Sequence, residues 1–327
     1  MATRYEQMSR LYIPAFMVIV LWALSARAGD VPLSEMQRTL IKARDLLVKG
    51  DKAGARAAME SFDALAKAVE PESLAGLSPA MHGLAGMLRH QFHMDYTVTA
   101  AWLAQAFQEN APGKGQQFMA AMAARFGRAE ILQHYLNQPD EAEKEYRGCL
   151  EWLADADDAM REQWIPIVYG SLFCLRVMYP QYHNPDEMDD LMHRQAAWLK
   201  RPDERLSCHL PIMAAIRGRK DEARAYMRVY AEERLAGKDP ETDHEVWRLA
   251  VPFAYACSYM GDVEEGLVWL EKGLIAKCAE MESPEAYRNY AAWLRNRHGL
   301  QTLSADPRFE AVFSKVDDFS QRLDGFE

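Results

Sequence analysis

Cysteine is sparse in this 327-residue chain, at 149, 174, 208, 257 and 278 only. The spacings fit no zinc ribbon, C-x-x-C pair or haem-attachment motif. An odd, scattered set argues against a disulfide framework, and each thiol falls within an apolar helical pattern, so all five are expected to be buried small hydrophobes. Nucleophile and phosphate-loop signatures are missing as well. There is no G-x-S-x-G, G-x-x-x-x-G-K-[ST], H-E-x-x-H or G-x-G-x-x-G, which removes the usual motif-based reasons to expect an enzyme. Lysine and arginine form no block and the net charge is −10, a balance that disfavours nonspecific attraction to polyphosphate. No stretch alternates as a run of strands would.

What remains is a chain rich enough in apolar residues, at 49%, to bury a sizeable core, with its 15 prolines and 18 glycines falling mostly between helical patterns. The fold class expected is all-α. Residues 1–28 have the pattern of an export signal or amino-terminal anchor. Arg4 and Arg10 precede an apolar run from Leu11 to Leu24, and Ala26-Arg27-Ala28 supplies an A-x-A cleavage site. The run is shorter than the roughly 20 residues of a comfortable transmembrane helix. Export would put the protein in the periplasm or outside the cell. An amino-terminal repeat helix and a cytoplasmic protein form the alternative.

Trp247 to Leu274 is the clearest local unit. Two helical patterns flank the turn Met260-Gly261-Asp262, and small residues (Ala254, Gly266, Gly273) fall where two helices would cross. Such a hairpin cannot bury its apolar faces alone. Further hairpins are expected at about Met36–Ala68, Pro79–Asn110, Gln116–Ala154, Asp158–Leu199 and Asp203–Ala236. Ala43, Gly50-Asp51 and Ala55 repeat the register of Ala254, Gly261-Asp262 and Gly266. Pro139-Asp140-Glu141 and Pro185-Asp186-Glu187 each suit a helix start, because proline lacks the unneeded N–H and acids complement the dipole. Second-helix starts at Glu141, Glu187, Glu222 and Glu265 lie 46, 35 and 43 residues apart, so helix lengths vary.

The 247–274 hairpin resembles a tetratricopeptide repeat, a helix–turn–helix unit of about 34 residues. With Trp247 first, Ala254 takes the family's small eighth position. Gly261-Asp262 match its turn, Glu265-Gly266 its Glu-Ala, and Gly273 its second small position. Departures are Leu270 at the large position 24, Cys257 at position 11 and Pro252 inside the first helix. Leu303 to Phe309 resembles the L-x-x-D-P-R-F ending of many bacterial tetratricopeptide arrays. The expected architecture is therefore a tetratricopeptide-like α-solenoid of about six hairpins over 29–299. A capping helix over 300–327 would bury Phe309, Val312, Phe313, Val316 and Phe319 on one stripe.

In that family the first helix of each hairpin lines a concave groove. Carried over by register, the resemblance implies Gln37, Leu40 and Arg44 in the first hairpin, and Arg205, Cys208 and Ile212 in the fifth. In the sixth it implies Arg248, Val251, Tyr255 and Tyr259. Gln37, Arg44, Arg205, Arg248, Tyr255 and Tyr259 are the candidate partner-binding residues. The family's Lys-and-Asn clamp for acidic tails is missing.

Two histidine clusters have residue types that could ligate a metal. His90 and His93 are neighbours on a helix, with His82 near the same face, but no acid obviously completes a site. His183, Asp186, Glu187, Asp189, Asp190 and His193 form the densest group of ligand types, which an acid-rich first helical turn explains without a metal. Trp102, Trp152, Trp198 and Trp269 are expected in the core. The function expected is a non-enzymatic protein-interaction scaffold that binds a peptide or protein segment, with no cofactor, metal or nucleic acid. A ligand-sensing regulatory domain and, less favoured, a divergent metal-dependent enzyme at His183–His193 remain open.

Overall fold

The computed structural model describes residues 35–324, apart from 69–73, 75–76, 93, 108–115, 200–207, 240–242, 244, 281–283 and 296. Residues 1–28, expected to form an export signal or anchor, lie outside the described residues. Among the described residues there is no strand, and the chain forms fifteen α-helices. They are α1 (Glu35–Val48), α2 (Lys52–Ala68), α3 (Pro79–Gln91), α4 (Tyr96–Gln105), α5 (Gln116–His134) and α6 (Pro139–Ala154). Then follow α7 (Asp158–Met178), α8 (Pro185–Ala197), α9 (His209–Ile216), α10 (Lys220–Arg234), α11 (Glu245–Met260) and α12 (Val263–Glu280). The last three are α13 (Pro284–Arg295), α14 (Gln301–Ser304) and α15 (Arg308–Asp324). No helix among the described residues is long and apolar enough to cross a membrane.

Helix starts follow local chemistry. The Ser78 side chain caps α3 by accepting from the Met81 N–H, with Pro79 in the first turn. Asp95 caps α4, Asp157 caps α7, and Asn184 caps α8 by accepting from Asp186 and Glu187. Each cap satisfies donors that the helix cannot satisfy itself.

Three hairpins turn in the same way. Gly50, Gly218 and Gly261 have φ of 83°, 73° and 76°, a left-handed conformation that costs glycine little. In each, the glycine N–H donates three residues back and the next N–H donates five residues back, to Leu46, Ala214 and Cys257. In each, the residue after the glycine accepts the first bond of the second helix, from Ala55, Ala223 and Gly266. This paired closure satisfies the last carbonyls of the first helix. Asn137, with φ 52°, makes the turn between α5 and α6.

The chain divides into two compact units, Met1–Ala156 and Asp157–Glu327. The division falls between the third and fourth expected hairpins. In the first unit the antiparallel pairs α1–α2, α3–α4 and α5–α6 pack in sequence order through α1–α3, α3–α5 and α4–α5. Its core includes Leu40, Phe62, Leu88, Leu103, Met122 and Tyr146. Buried charge is paired: Glu145 accepts from Arg125 and Arg128, and Arg89 donates to Asp63.

In the second unit the pairs are α7–α8, α9–α10 and α11–α12. Helix α9 packs on α11, and α15 lies across α12 and α13. Close crossing of α11 and α12 depends on missing side chains. A Cβ at Gly273 would sit 2.7 Å from Val251 Cγ2 and 3.1 Å from its backbone nitrogen. One at Gly266 would stand 3.0 Å from Cys257 Cβ of α11, and also 2.6 Å from Leu303 Cδ2 of α14. Ala254 of α11 is fully buried. Phe309, Val312, Phe313 and Val316 of α15 are buried, while Arg308 and Lys315 on its outer face pair with Glu264 and Glu271. The side chain of Phe319 lies outside the described residues.

Candidate functional site

The six groove candidates occupy different settings. Gln37 and Arg44 are partly buried on α1, and Arg44 bonds its neighbour Asp45 at 2.7 Å. Arg205 lies outside the described residues. Arg248, Tyr255 and Tyr259 share α11. Arg248 is partly buried near the helix start, its guanidinium 5.9 Å from the Trp247 ring centroid. Tyr255 is only 5% exposed and its hydroxyl has no hydrogen-bond partner among the described residues. Tyr255 is thus a wall residue, while Tyr259, one turn on, is partly buried and engaged.

Tyr259 reaches the end of α7. Its hydroxyl donates to the Val177 carbonyl, and the same oxygen lies 3.2 Å from His183 Nε2. The His183 ring also bonds the Val177 and Arg176 carbonyls. These are last-turn carbonyls that a helix leaves without internal partners. Burial pulls the His183 pKa below its ordinary value, and the two carbonyl acceptors oppose that shift. The 3-10 turn His298–Leu300 closes this corner. A Cβ at Gly299 would stand 2.6 Å from Tyr255 Cε1 and 2.8 Å from the Val177 oxygen.

Beside this corner Arg297 is buried at 6% exposure. It donates to the Tyr179 hydroxyl at 3.0 Å and to the Trp293 carbonyl at 3.2 Å. Burial raises the Tyr179 and Tyr255 pKa values, and the Arg297 charge opposes both shifts. A strip of cations and rings leads outwards from here. Arg297 stands 4.4 Å from the Trp293 ring, and Trp293 lies 5.1 Å from Tyr290. Lys277 Nζ lies 5.8 Å from Tyr290 and 4.1 Å from Trp247, which adjoins Arg248. Except for Arg297, these residues are partly buried. The ammonium and guanidinium groups meet ring faces, an arrangement that holds a cation without enclosing it.

The histidine clusters separate. His82 packs on Trp102 with centroids 5.0 Å apart, His90 meets Tyr135 at 6.2 Å, and His93 lies outside the described residues. In the 183–193 region, Glu187 pairs with buried Arg176 at 3.0 Å, and Asp189 pairs with Arg217 at 2.5 Å. His193 Nδ1 contacts the Asp189 carbonyl at 2.7 Å, whereas His183 faces Tyr259. No group of three or more potential metal ligands converges among the described residues.

Trp102 is buried, while Trp152 and Trp269 are partly so. Sequence reading passed over Tyr179, Lys277, Tyr290, Trp293 and Arg297. Tyr179 and Arg297 are 118 residues apart, and their pairing leaves no periodic trace. A cue did exist for Lys277, the one cation in the last turn of α12. Comparison with family models, curated proteins and solved structures finds no match to this chain.

Proposed function

We propose that the chain is a non-enzymatic protein-interaction scaffold, a tetratricopeptide-like solenoid that holds a peptide or protein segment against its first-helix faces. Gln37 and Arg44 serve one unit. Arg205, Arg248 and Tyr259 serve the other, with Tyr255 backing the wall. Residues 1–28 export the protein. The observation that carries this reading is the turn at Gly50, Gly218 and Gly261, with one hydrogen-bond pattern in three hairpins. A recurrent unit of this kind stacks on its neighbours and leaves first-helix faces for recognition within each unit. Arginine and tyrosine suit that face because both anchor interfaces well.

The test uses a partner captured by the tagged protein from its native host and then purified. Its affinity is measured for wild type and for the double variant Arg44→Glu, Arg248→Glu. At least a tenfold loss is expected. Unchanged affinity would overturn the groove assignment.

A further inference from the structure

We infer that Cys174 and Cys208 are a redox-active pair, two thiols that a small-molecule disulfide converts into one cross-link between α7 and the start of α9. The five cysteines divide into two kinds. Cys149, Cys257 and Cys278 are buried, whereas Cys174 and Cys208 are partly exposed. The two that an oxidant can reach also stand together. The ring of Phe173, next to Cys174, has its centroid 4.2 Å from that of His209, next to Cys208, so α7 and the first residue of α9 touch here. Burial raises the Cys174 pKa to about 12, and a negative charge on Cys208 adds to the rise, an effect that fades with distance. Two sulfurs alone do not make a metal centre, and no group of three potential ligands converges among the described residues.

The thiols differ in nucleophilic role. Burial raises the Cys208 pKa only to about 11, because its own backbone and the Arg234 charge favour the thiolate. Cys208 is therefore the attacking sulfur. Its thiolate attacks one sulfur of glutathione disulfide, and the S–S bond breaks. One glutathione leaves with the bonding pair and takes the proton that Cys208 released. Cys174 then gives up its proton and attacks Cys208 Sγ of the mixed disulfide. The second glutathione leaves and takes that proton. Two protein thiols are oxidised and one disulfide is reduced to two thiols. The cysteines are 34 positions apart, so the cross-link joins hairpin α7–α8 to hairpin α9–α10 and constrains the unfolded chain. It fixes the first helices of two successive hairpins against each other, whatever the scaffold binds. The closed form suits an oxidising compartment and the open form a reducing one.

The full chain, reduced and freed of reductant, is incubated in its folded state with about 5 mM glutathione disulfide. It is then unfolded in an alkylating reagent and mapped by peptide mass spectrometry. The expected product carries a Cys174–Cys208 cross-link, with Cys149, Cys257 and Cys278 alkylated. Its melting temperature should exceed that of the reduced chain by at least about 4 °C, and dithiothreitol should abolish the difference. Cys174→Ala should stop at a glutathione adduct on Cys208, while Cys149→Ala should still close the pair. Circular dichroism of each variant shows whether it remains folded. Five alkylated thiols, a cross-link through any other cysteine, or a link between two copies overturns the inference. So does a cross-linked form no more stable than the reduced one. The affinity test of Arg44 and Arg248 is unaffected by each of these outcomes, so the pair and the scaffold fail separately.

Discussion

Arg297 donates to the hydroxyl of Tyr179 at 3.0 Å, tying the residue that follows α7 to the segment between α13 and the 298–300 turn. Both side chains are buried, Tyr179 at 1% and Arg297 at 6% exposure. Tyr179→Phe removes the acceptor and keeps the ring. Withdrawing a partner from a buried charged donor should cost about 1 to 3 kcal/mol. Urea denaturation checks this, and a variant within 0.3 kcal/mol or so of wild type would show that the bond contributes little.

Tyr259 and His183 share the last carbonyls of α7. Tyr259→Phe should destabilise the second unit by about 1 kcal/mol, the net value of one hydrogen bond. It should also shift the His183 ring resonances in a two-dimensional NMR titration. The histidine pKa in wild type should lie below its ordinary 6.5, because burial opposes the charged ring. That lowered value makes the contribution of His183 to stability present above pH 6.5 and lost as pH falls through the folded pKa. A value above 6.5 would contradict the burial seen at this corner.

Glu130 on α5 and His209 on α9 should bend the pH profile in opposite directions. Burial raises the Glu130 pKa to about 7 from an ordinary 4.5, so the folded chain holds a proton that the unfolded chain releases. Its favourable contribution is present below pH 4.5 and is lost as pH rises through 7. Burial lowers the His209 pKa to about 4 from 6.5. That contribution is present above pH 6.5 and is lost as pH falls through 4. Glu130→Gln should stabilise the protein by about 1 to 3 kcal/mol at pH 8 and not at pH 4. His209→Phe should flatten the acid side of the curve. Thermal denaturation from pH 4 to 8 reads both, and parallel profiles for wild type and variants would refute the assignments.

Much of the helix layout was legible in the sequence because its signals are local. Pro139, Ser78, Asn184 and the glycine turns mark helix boundaries through backbone chemistry that needs no distant partner. Gly273 and Gly266 were readable as crossing points because only a missing side chain lets helices approach so closely. The strip was not legible. Its members come from helices that meet only in three dimensions, and a cation facing a ring has no sequence period. Around Tyr255, assigned to a groove face by register, packs the 298–300 turn, which no local signal linked to α11.

The two crossing glycines should differ in their tolerance of a methyl group. Gly273→Ala sets the new carbon against the Val251 backbone nitrogen, which cannot swing away. A cost of about 1 to 3 kcal/mol is expected. Gly266→Ala meets the yielding far end of the Leu303 side chain and Cys257 Cβ at 3.0 Å, but no backbone atom, and should cost less. Gly261→Ala, strained by φ 76° rather than by contact, should cost about 1 to 2 kcal/mol. Chemical denaturation of the three variants gives the order, and Gly266→Ala as the worst would contradict it.

On the scaffold reading, the α11 face meets a protein partner in the native host. The most direct measurement puts a photo-crosslinking amino acid at position 248 and, as a control, at position 268, where Val268 is 52% exposed on α12. Irradiation in the native host should give a discrete protein adduct from 248, absent from 268. No adduct from 248, or the same adducts from both positions, would contradict the scaffold reading.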